Sequence, residues 1–167
     1  MPKVTKKNRA HHERHVSQPF IVVGSIITND EKKLLLVNEN GKWNHPAGWL
    51  ELGERLIDGA RREAEEETGY KISVDGLLGI YSLIKNRTDK VLHAIKFIFR
   101  AHLTGTKISS KDKIPFRWFT PNEIRNLAGQ LWDDDLINIV RDWESGVSYP
   151  LDIANAYTVI NQKSKNG

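Results

Sequence analysis

Apolar residues fall along the chain mostly in short runs that are rich in β-branched and aromatic side chains and are bounded by polar turn residues. Runs of this kind are typical of β-strands. The predicted strands are Phe20–Ile27, Lys33–Asn38, Ile72–Lys85, Val91–Leu103 and Phe116–Phe119. The predicted turns are Asn29-Asp30, Asn40-Gly41 and residues 86–89, and Asn-Gly is a strong hairpin signal.

Three other segments show helical signals. Over Leu56–Thr68 an apolar stripe recurs at helical spacing, and Gly69 is well placed to end the helix. The segment Thr120–Glu123 is a capping box with proline at the first helical position, which predicts a short helix. A last helix is predicted from about Asp133 to Glu144. The order of strands and helices predicts an α+β fold with a mixed sheet between helical layers.

The composition is that of a single soluble globular domain. A chain of 167 residues with 39% hydrophobic and 28% charged residues is long enough for one ordinary core. It contains no cysteine, which excludes disulfides and zinc–thiolate sites and fits a cytoplasmic location. The longest apolar run, residues 20–27, is too short to cross a membrane, and we expect no secretory signal.

The net charge of +4 comes from the N-terminal segment. Residues 1–15 contain five basic side chains and one acidic one, so the other residues sum to zero. We predict a basic, disordered tail over residues 1–17, a folded domain over 18–157 and a flexible tail over 158–167. The basic tail is a candidate contact for RNA or an acidic surface, although a solvated terminus is the more common case.

Three glutamates on the predicted helix Leu56–Thr68 are the main candidates for chemistry. Glu63, Glu66 and Glu67 fall within roughly 100° of arc on one helix face. Carboxylates gathered in this way repel one another unless a cation lies among them, and oxygen ligands suit Mg²⁺ or Mn²⁺. The alternative is a solvated face on which Arg62 pairs with Glu66 at i,i+4.

The segment before this helix also has features of a metal site. Gly48 is followed by five residues and then Glu54, in a stretch that Pro46 and Gly53 keep from being helical. A loop glycine lets the backbone approach a ligand closely, and its carbonyl oxygen can itself bind a metal ion.

Residues 48–70 resemble the Nudix box, the signature of the Nudix hydrolase family. The residues that match it, with the spacing of the box intact, are Gly48, Glu54, Arg62, Glu63, Glu66, Glu67 and Gly69. Ala64 and Tyr70 depart from the bulky aliphatic residues that are usual at their positions. The resemblance implies the Nudix α/β/α sandwich, with a mixed sheet and the Nudix-box loop–helix–loop, over most of residues 18–151.

In this family, water attacks a phosphorus atom of a diphosphate joined to another group, at a site that binds Mg²⁺ or Mn²⁺. The metal ligands implied by the resemblance are the carbonyl of Gly48 and the carboxylates of Glu63, Glu66 and Glu67. Glu63 is a third carboxylate ligand or the base that deprotonates water, and Glu66 is also a candidate catalytic residue. Arg62 would hold the glutamates in place, while Glu54 and Gly69 would fix the loop and the helix end.

One candidate catalytic residue lies outside the box. Many family members carry an acidic residue in a loop a few residues before a tryptophan, and Asp112 lies six residues before Trp118. Asp112 is a candidate extra ligand or general base, with a solvated loop aspartate as the alternative. Lys113 and Pro115 stand where a second acidic residue is often found, so the loop departs from the family pattern.

The candidates for substrate binding are Trp43, His45, Lys85 and Arg87. A tryptophan offers a flat surface for stacking on a base, although core packing is its more common role. His45 is a candidate phosphate contact, with a structural histidine as the alternative. Lys85 and Arg87, at the tip of a predicted hairpin, are candidates for neutralising phosphates, although exposed turns are often basic for solubility.

The chain resembles the NudJ type of bacterial Nudix phosphatases in residues 43–51, Trp118-Phe119, the acidic cluster Asp133–Asp135 and residues 145–151. This implies a small phosphorylated substrate, either a nucleoside di- or triphosphate or a thiamine-type pyrophosphate. We expect no membrane partner, and nucleic acid is a partner only in the alternative of an RNA activity. The alternative substrates are ADP-ribose, dinucleotides and the triphosphates of house-cleaning enzymes. The alternative classes are a non-catalytic nucleotide-sensing domain, which usually lacks one or more box glutamates, and an RNA 5′-end pyrophosphohydrolase.

Overall fold

A computed structural model describes residues 19–86, 91–127 and 129–154 of the chain. The tails predicted over residues 1–17 and 158–167, the end of the predicted 18–157 domain and Arg87 lie outside these ranges. None of the helices in the described ranges is long and apolar enough to cross a membrane.

Seven strands and three α-helices make up the described part. Their order is β1 (Phe20–Ile27), β2 (Leu34–Glu39), β3 (Lys42–Asn44), β4 (Ala47–Trp49), α1 (Leu56–Thr68), β5 (Tyr70–Asn86), β6 (Val91–Lys107), β7 (Phe116–Phe119), α2 (Pro121–Arg125) and α3 (Asp135–Glu144). A short 3₁₀ helix follows at Leu151–Ala154.

The strands form two sheets. The four-stranded sheet has the order β4-β1-β6-β5, in which β1 and β6 are parallel and the other neighbours are antiparallel. The three-stranded sheet has the order β3-β2-β7 and is antiparallel. The predicted α+β class is confirmed, and the mixed sheet is accompanied by a second, antiparallel one.

The core is divided into two clusters by the sheets. Successive residues of a strand point to opposite faces, and the adjacent Ile98 and Phe99 of β6 accordingly belong to different clusters. The Phe99 cluster includes Ala60 and Ala64, the apolar stripe of α1. The Ile98 cluster includes the buried apolar residues of α3. Helices therefore cover both faces, as the predicted sandwich requires.

Most predicted elements are found where the sequence places them. The bounds of β1, α1 and β7 agree with the prediction, while β5 and β6 are longer than predicted. The capping box at α2 is complete, because Thr120 Oγ1 accepts from the Glu123 N–H at 3.3 Å and Glu123 Oε2 accepts from the Thr120 N–H at 2.7 Å. The strands β3 and β4 were not predicted, since three residues are too few to show a period.

Helix α3 begins at Asp135, two residues after the predicted start. Asp133 lies just before the helix, where its carboxylate pairs with Lys85 and also lies 3.9 Å from the Nζ atom of Lys96.

Candidate active site

The side chain of Arg62 on α1 connects the acidic residues of the site. Its Nε and Nη2 atoms donate to the two carboxylate oxygens of Glu54 at 2.8 and 3.0 Å. Nη1 donates to Glu63 Oε1 at 2.7 Å and to Glu66 Oε2 at 3.3 Å, and Nη2 also donates to the carbonyl of Trp49 at 3.0 Å. A guanidinium has five N–H donors, so its donor capacity is fully used.

The Arg62–Glu54 pair ties the loop before α1 to the middle of the helix. Burial raises the pKa of the Glu54 carboxyl, but hydrogen bonds from Arg62 and from the Glu51 N–H outweigh that effect, and the pKa lies below its usual value. The hydrogen bond to Glu54 raises the pKa of Arg62 against the opposing effect of burial. Both groups therefore stay charged over the ordinary pH range.

Gly48 on β4 makes room for the carboxylate of Glu63. A Cβ atom added to Gly48 would lie 2.1 Å from Cδ of Glu63 and 2.3 Å from both of its carboxylate oxygens. The Glu63 side chain therefore lies directly on the Gly48 backbone. Glu63 is only 9% exposed, and this burial raises the pKa of its carboxyl against the effect of Arg62.

Glu67 lies one helical turn beyond Glu63. Its Oε2 atom accepts a hydrogen bond from the backbone N–H of Ala47 at 3.2 Å. Burial, together with the carboxylates of Glu63, Glu39 and Glu66, raises the pKa of Glu67 to about 8. Within the described ranges, no basic side chain forms an ion pair with Glu67. It is therefore the carboxylate whose negative charge is least compensated.

Gly59 fits helix α1 against the loop before it. A Cβ atom at this position would lie 2.8 Å from Glu54 Oε2 and 3.0 Å from the side chains of Leu50 and Val23. A glycine inside a helix costs about 0.5–1 kcal/mol relative to alanine. That cost allows the close packing that brings Glu54 within reach of Arg62.

The loop between β6 and β7 is tied to the end of α1. Gly69 ends the helix in the left-handed conformation, with φ at 73°, and its carbonyl accepts from the Ile108 N–H at 3.0 Å. The Ser110 hydroxyl donates to the carbonyl of Glu66 at 2.6 Å, and the Ile114 N–H donates to that of Glu67 at 3.0 Å. These bonds hold the loop beside the acidic helix face.

Asp112 lies in this loop and lines an open cleft that Arg62 and Glu66 also line. Its backbone N–H donates to Ser110 Oγ at 3.2 Å, and its side chain is exposed. The structure thus brings Asp112 near the box glutamates.

The predicted substrate-binding residues have different surroundings. His45 is buried, with 1% exposure, and lines a pocket that Glu67 also lines. The ring of Trp43 packs against Phe119, with centroids 4.9 Å apart. Lys85 forms an ion pair with Asp133, and Arg87 lies outside the described residues.

Sequence reasoning missed several residues around the pocket. Glu39 acts electrostatically on Glu67, and Asn44 lines the pocket beside His45. Lys96 is 4% exposed, and its Nζ atom donates to Asp135 at 2.7 Å. Burial and the charge of Lys96 hold the pKa of His45 well below its usual value. The sequence signal that could have indicated a buried charge was Lys96 itself, which lies between Ile95 and Phe97 in β6.

The donor set fits a hard divalent cation, as the family implies. Carboxylate and carbonyl oxygens are the ligands that such ions prefer. Burial, and then the neighbouring carboxylates, raise the pKa of Glu67, so its ionised form is disfavoured until a cation compensates it. In the described residues, no three acidic or histidine side chains are placed so that one ion could bind them all. Arg62 donates to one oxygen each of Glu63 and Glu66, so each carboxylate keeps a second oxygen with which it could bind a cation.

Comparison with known proteins decides the family. The NUDIX domain model matches residues 18–138. The chain belongs to the Nudix family. It is 31% identical to phosphatase NudJ of Escherichia coli K12 over 140 residues, which cover 81% of this chain and 90% of NudJ. It is also 30% identical to a MutT-like protein of Streptomyces ambofaciens over 115 residues, covering 67% of this chain and 71% of that protein.

A solved structure gives the same result. The NUDIX hydrolase from Nitrosomonas europaea superposes with a TM-score of 0.75 at 30% sequence identity, covering 84% of this chain and 98% of that one. The Nudix chain described here is thus a hydrolase that acts on phosphorus anhydrides, and its sequence is similar to that of the NudJ type.

Proposed function

We propose that this Nudix hydrolase requires Mg²⁺ or Mn²⁺ and cleaves a diphosphate linkage in a nucleoside di- or triphosphate or a related compound, by attack of water at phosphorus. The observation that carries the proposal is the contrast between Glu67 and its neighbours. Arg62 neutralises part of the charge of Glu63 and Glu66, whereas Glu67 is buried among carboxylates without an ion-pair partner in the described ranges. A cation would supply the missing charge.

In this proposal Glu66 and Glu67 hold the cation, together with the carbonyl of Gly48 and with Glu63 as a further ligand. A bound divalent ion neutralises phosphate charge and lowers the pKa of a bound water. The chain's own residues then keep the site in shape. Arg62 positions the carboxylates through charge-assisted hydrogen bonds, and Glu54 fixes Arg62.

The proton of the attacking water passes to a carboxylate of the site. Glu63 is supported in this role by its raised pKa, because a base is most effective when its pKa is closer to the operating pH. Asp112 is the second candidate, supported by its place in the cleft beside Glu66. Replacing each by the corresponding amide distinguishes them, since loss of the base lowers kcat and removes its limb from the pH–rate profile.

The relatives support a small phosphorylated substrate. The similarity to phosphatase NudJ covers most of both chains, and the resemblance in sequence favours nucleoside di- and triphosphates or thiamine-type pyrophosphates. A nucleotide-sensing domain is the alternative outside catalysis, but the chain keeps every box glutamate.

An RNA 5′-end activity would draw on the basic tail. Deleting residues 1–15 separates the two substrates. Hydrolysis of small nucleotides should be unchanged, whereas an RNA activity should fall and lose its dependence on salt.

The central experiment compares Glu67→Gln with Glu65→Gln in the full chain. Glu65 lies on the same helix, but its Oε1 atom accepts from the Ile72 N–H at 3.2 Å, a bond that glutamine can keep. Titration calorimetry with Mg²⁺ and Mn²⁺, and product identification across nucleotides, nucleotide sugars, dinucleotides and thiamine pyrophosphates, are the measurements. We expect Glu67→Gln to lose cation binding and turnover while Glu65→Gln retains both. Equal behaviour of the two variants would contradict the proposal.

A further inference from the structure

Two neighbouring residues carry most of the unsatisfied polar atoms in the described part of the chain. Buried side-chain atoms without a hydrogen-bond partner there are Asn44 Oδ1, both ring nitrogens of His45 and Asp135 Oδ1. Native proteins keep few such atoms, because an unpaired buried polar group is destabilising. Three such atoms on two consecutive residues indicate groups that await a partner.

Both residues line the pocket beside Glu67. The His45 ring lies against the backbone of Gly24, where an added Cβ atom would come within 2.9 Å of Nε2. The ring is therefore held in place by the strand beneath it. Burial and the charge of Lys96 keep the imidazole neutral, so it offers one N–H donor and one lone pair.

The other walls of the pocket disfavour a phosphate group. Glu39 and Glu67 line it and bring negative charge, and Trp132 offers an indole surface. The one basic side chain among the described lining residues, Lys42, donates through its Nζ atom to the carbonyl of Gly129, so the two carboxylates outnumber it. In the described ranges no other aromatic ring packs against Trp132. Because the space of about 310 Å³ includes the open mouth of the pocket, the edge of a ring fits inside it and the rest of the ring stays in the mouth. An uncharged, planar, donor-bearing ring matches these walls.

We propose that this pocket binds the aminopyrimidine edge of the substrate. The exocyclic amine donates to Asn44 Oδ1, the adjacent ring nitrogen accepts from the His45 N–H, and the ring stacks on Trp132. The inference rests on the proposed function, because Glu67 places the pocket next to the diphosphate site. This edge occurs in cytosine, in adenine and in the pyrimidine of thiamine.

The test exchanges the amine for a carbonyl in matched substrates. The pairs are CDP and UDP, ADP and IDP, and thiamine diphosphate and oxythiamine diphosphate. For the pair that the full-length enzyme turns over, we expect kcat/KM to favour the amino member at least about tenfold, because the oxo member leaves polar groups unpaired. The pair that shows this preference identifies nucleotide or thiamine as the source of the ring.

Three variants test the role of Asn44. Asn44→Leu should reduce the amino preference to within about twofold, while Asn44→Asp, which keeps an oxygen acceptor, should retain it. Asn126→Leu makes the same change at an exposed residue at the end of α2 and should leave the preference unchanged. The ligand-free Asn44→Leu protein should melt no lower than the parent, since it loses an unpaired acceptor.

The two proposals fail in different ways. Hydrolysis without any amino preference, or a preference that survives Asn44→Leu, would overturn the pocket assignment and leave the hydrolase intact. If no pair is hydrolysed, calorimetry with the same pairs in Mg²⁺ decides the pocket independently. Tighter binding of the amino members, lost in Asn44→Leu, supports it; equal binding of both members overturns it.

Discussion

Arg62 and Glu54 form a two-pronged ion pair, with Nε–Oε1 and Nη2–Oε2 distances of 2.8 and 3.0 Å, between the middle of helix α1 and the loop that precedes it. The pair joins two parts of the Nudix box that lie eight residues apart in the chain. It fixes the arginine from one side, so that its remaining donors point at Glu63 and Glu66. Glu54 thus orients Arg62, and Arg62 in turn orients the carboxylates of Glu63 and Glu66.

Replacing Glu54 by glutamine should disturb this arrangement. The NH₂ group of the glutamine amide would face an N–H group of Arg62, so one of the two hydrogen bonds is replaced by a repulsive contact between two donors. We expect stability to fall by about 2 kcal/mol, since the pair is partly buried, and kcat/KM to fall about 10- to 100-fold. Glu51→Gln is the control, because that side chain is exposed in the same loop. Denaturant unfolding and steady-state kinetics are the measurements, and unaffected kinetics would contradict a positioning role.

The raised pKa of Glu67 predicts the pH dependence of stability without metal. A carboxyl whose pKa rises from an ordinary value of 4.5 to about 8 on folding binds more protons in the native state. The free energy of unfolding should therefore be highest at low pH within this window and decrease as pH rises from about 4.5 to 8. Melting curves in EDTA should show this decrease, and Glu67→Gln should flatten it.

Saturating Mg²⁺ should reverse that trend, because a cation binds the deprotonated carboxylate and stabilises the native state. The affinity for Mg²⁺ should accordingly increase with pH up to about 8 and then level off. A metal affinity that is constant between pH 6 and 9 would count against Glu67 as a ligand.

The contact between Gly48 and Glu63 predicts a severe effect of Gly48→Ala. The new methyl group overlaps the carboxylate, so Glu63 must leave its position. We expect a loss of stability of about 1–3 kcal/mol and at least about a tenfold loss of kcat. In the Glu63→Ala background the same substitution should be nearly neutral for stability. A double-mutant cycle measures the difference, and additive effects would place the strain elsewhere.

Gly59→Ala distinguishes helix propensity from packing. Propensity alone predicts a gain of about 0.5–1 kcal/mol. The structure predicts a net loss of about 1 kcal/mol, because the methyl group meets Glu54, Leu50 and Val23. Glu54 cannot move cheaply, since Arg62 holds it. Chemical denaturation gives the sign of the change in the free energy of unfolding. A more stable variant would show that the loop moves to make room for the methyl group.

The sequence predicted the parts of the fold and site that depend on local order. The bounds of α1 and the facing of its glutamates follow from the helical period, and the α2 cap follows from Thr120 and Glu123. The runs rich in β-branched and aromatic residues also located the long strands. These features need only neighbouring residues, so they can be read from one chain.

The remaining features depend on contacts between distant segments. Gly48 and Glu63 are fifteen residues apart and meet only because β4 pairs with β1 beneath α1. From the sequence, Gly59 predicts only a loss of helix stability. The structure shows why a glycine is needed there, because a Cβ atom would lie 2.8 Å from Glu54 Oε2. The pocket beside Asn44 and His45 also includes Glu67 and Trp132, and it depends on β3 and β4, which are too short to be predicted from a period.

The separation of the core into an α1 side and an α3 side has a consequence for how this protein can diverge. Side chains on the α3 side can change volume and be accommodated by their own cluster, without moving the helix that carries the glutamates. Two small volume changes on opposite faces of the sheet should add in their effect on stability where the two residues lie far apart and share no contacts. We therefore expect substitutions to be tolerated better in the cluster packed on α3 than in the cluster packed on α1, because α1 carries the glutamates of the site.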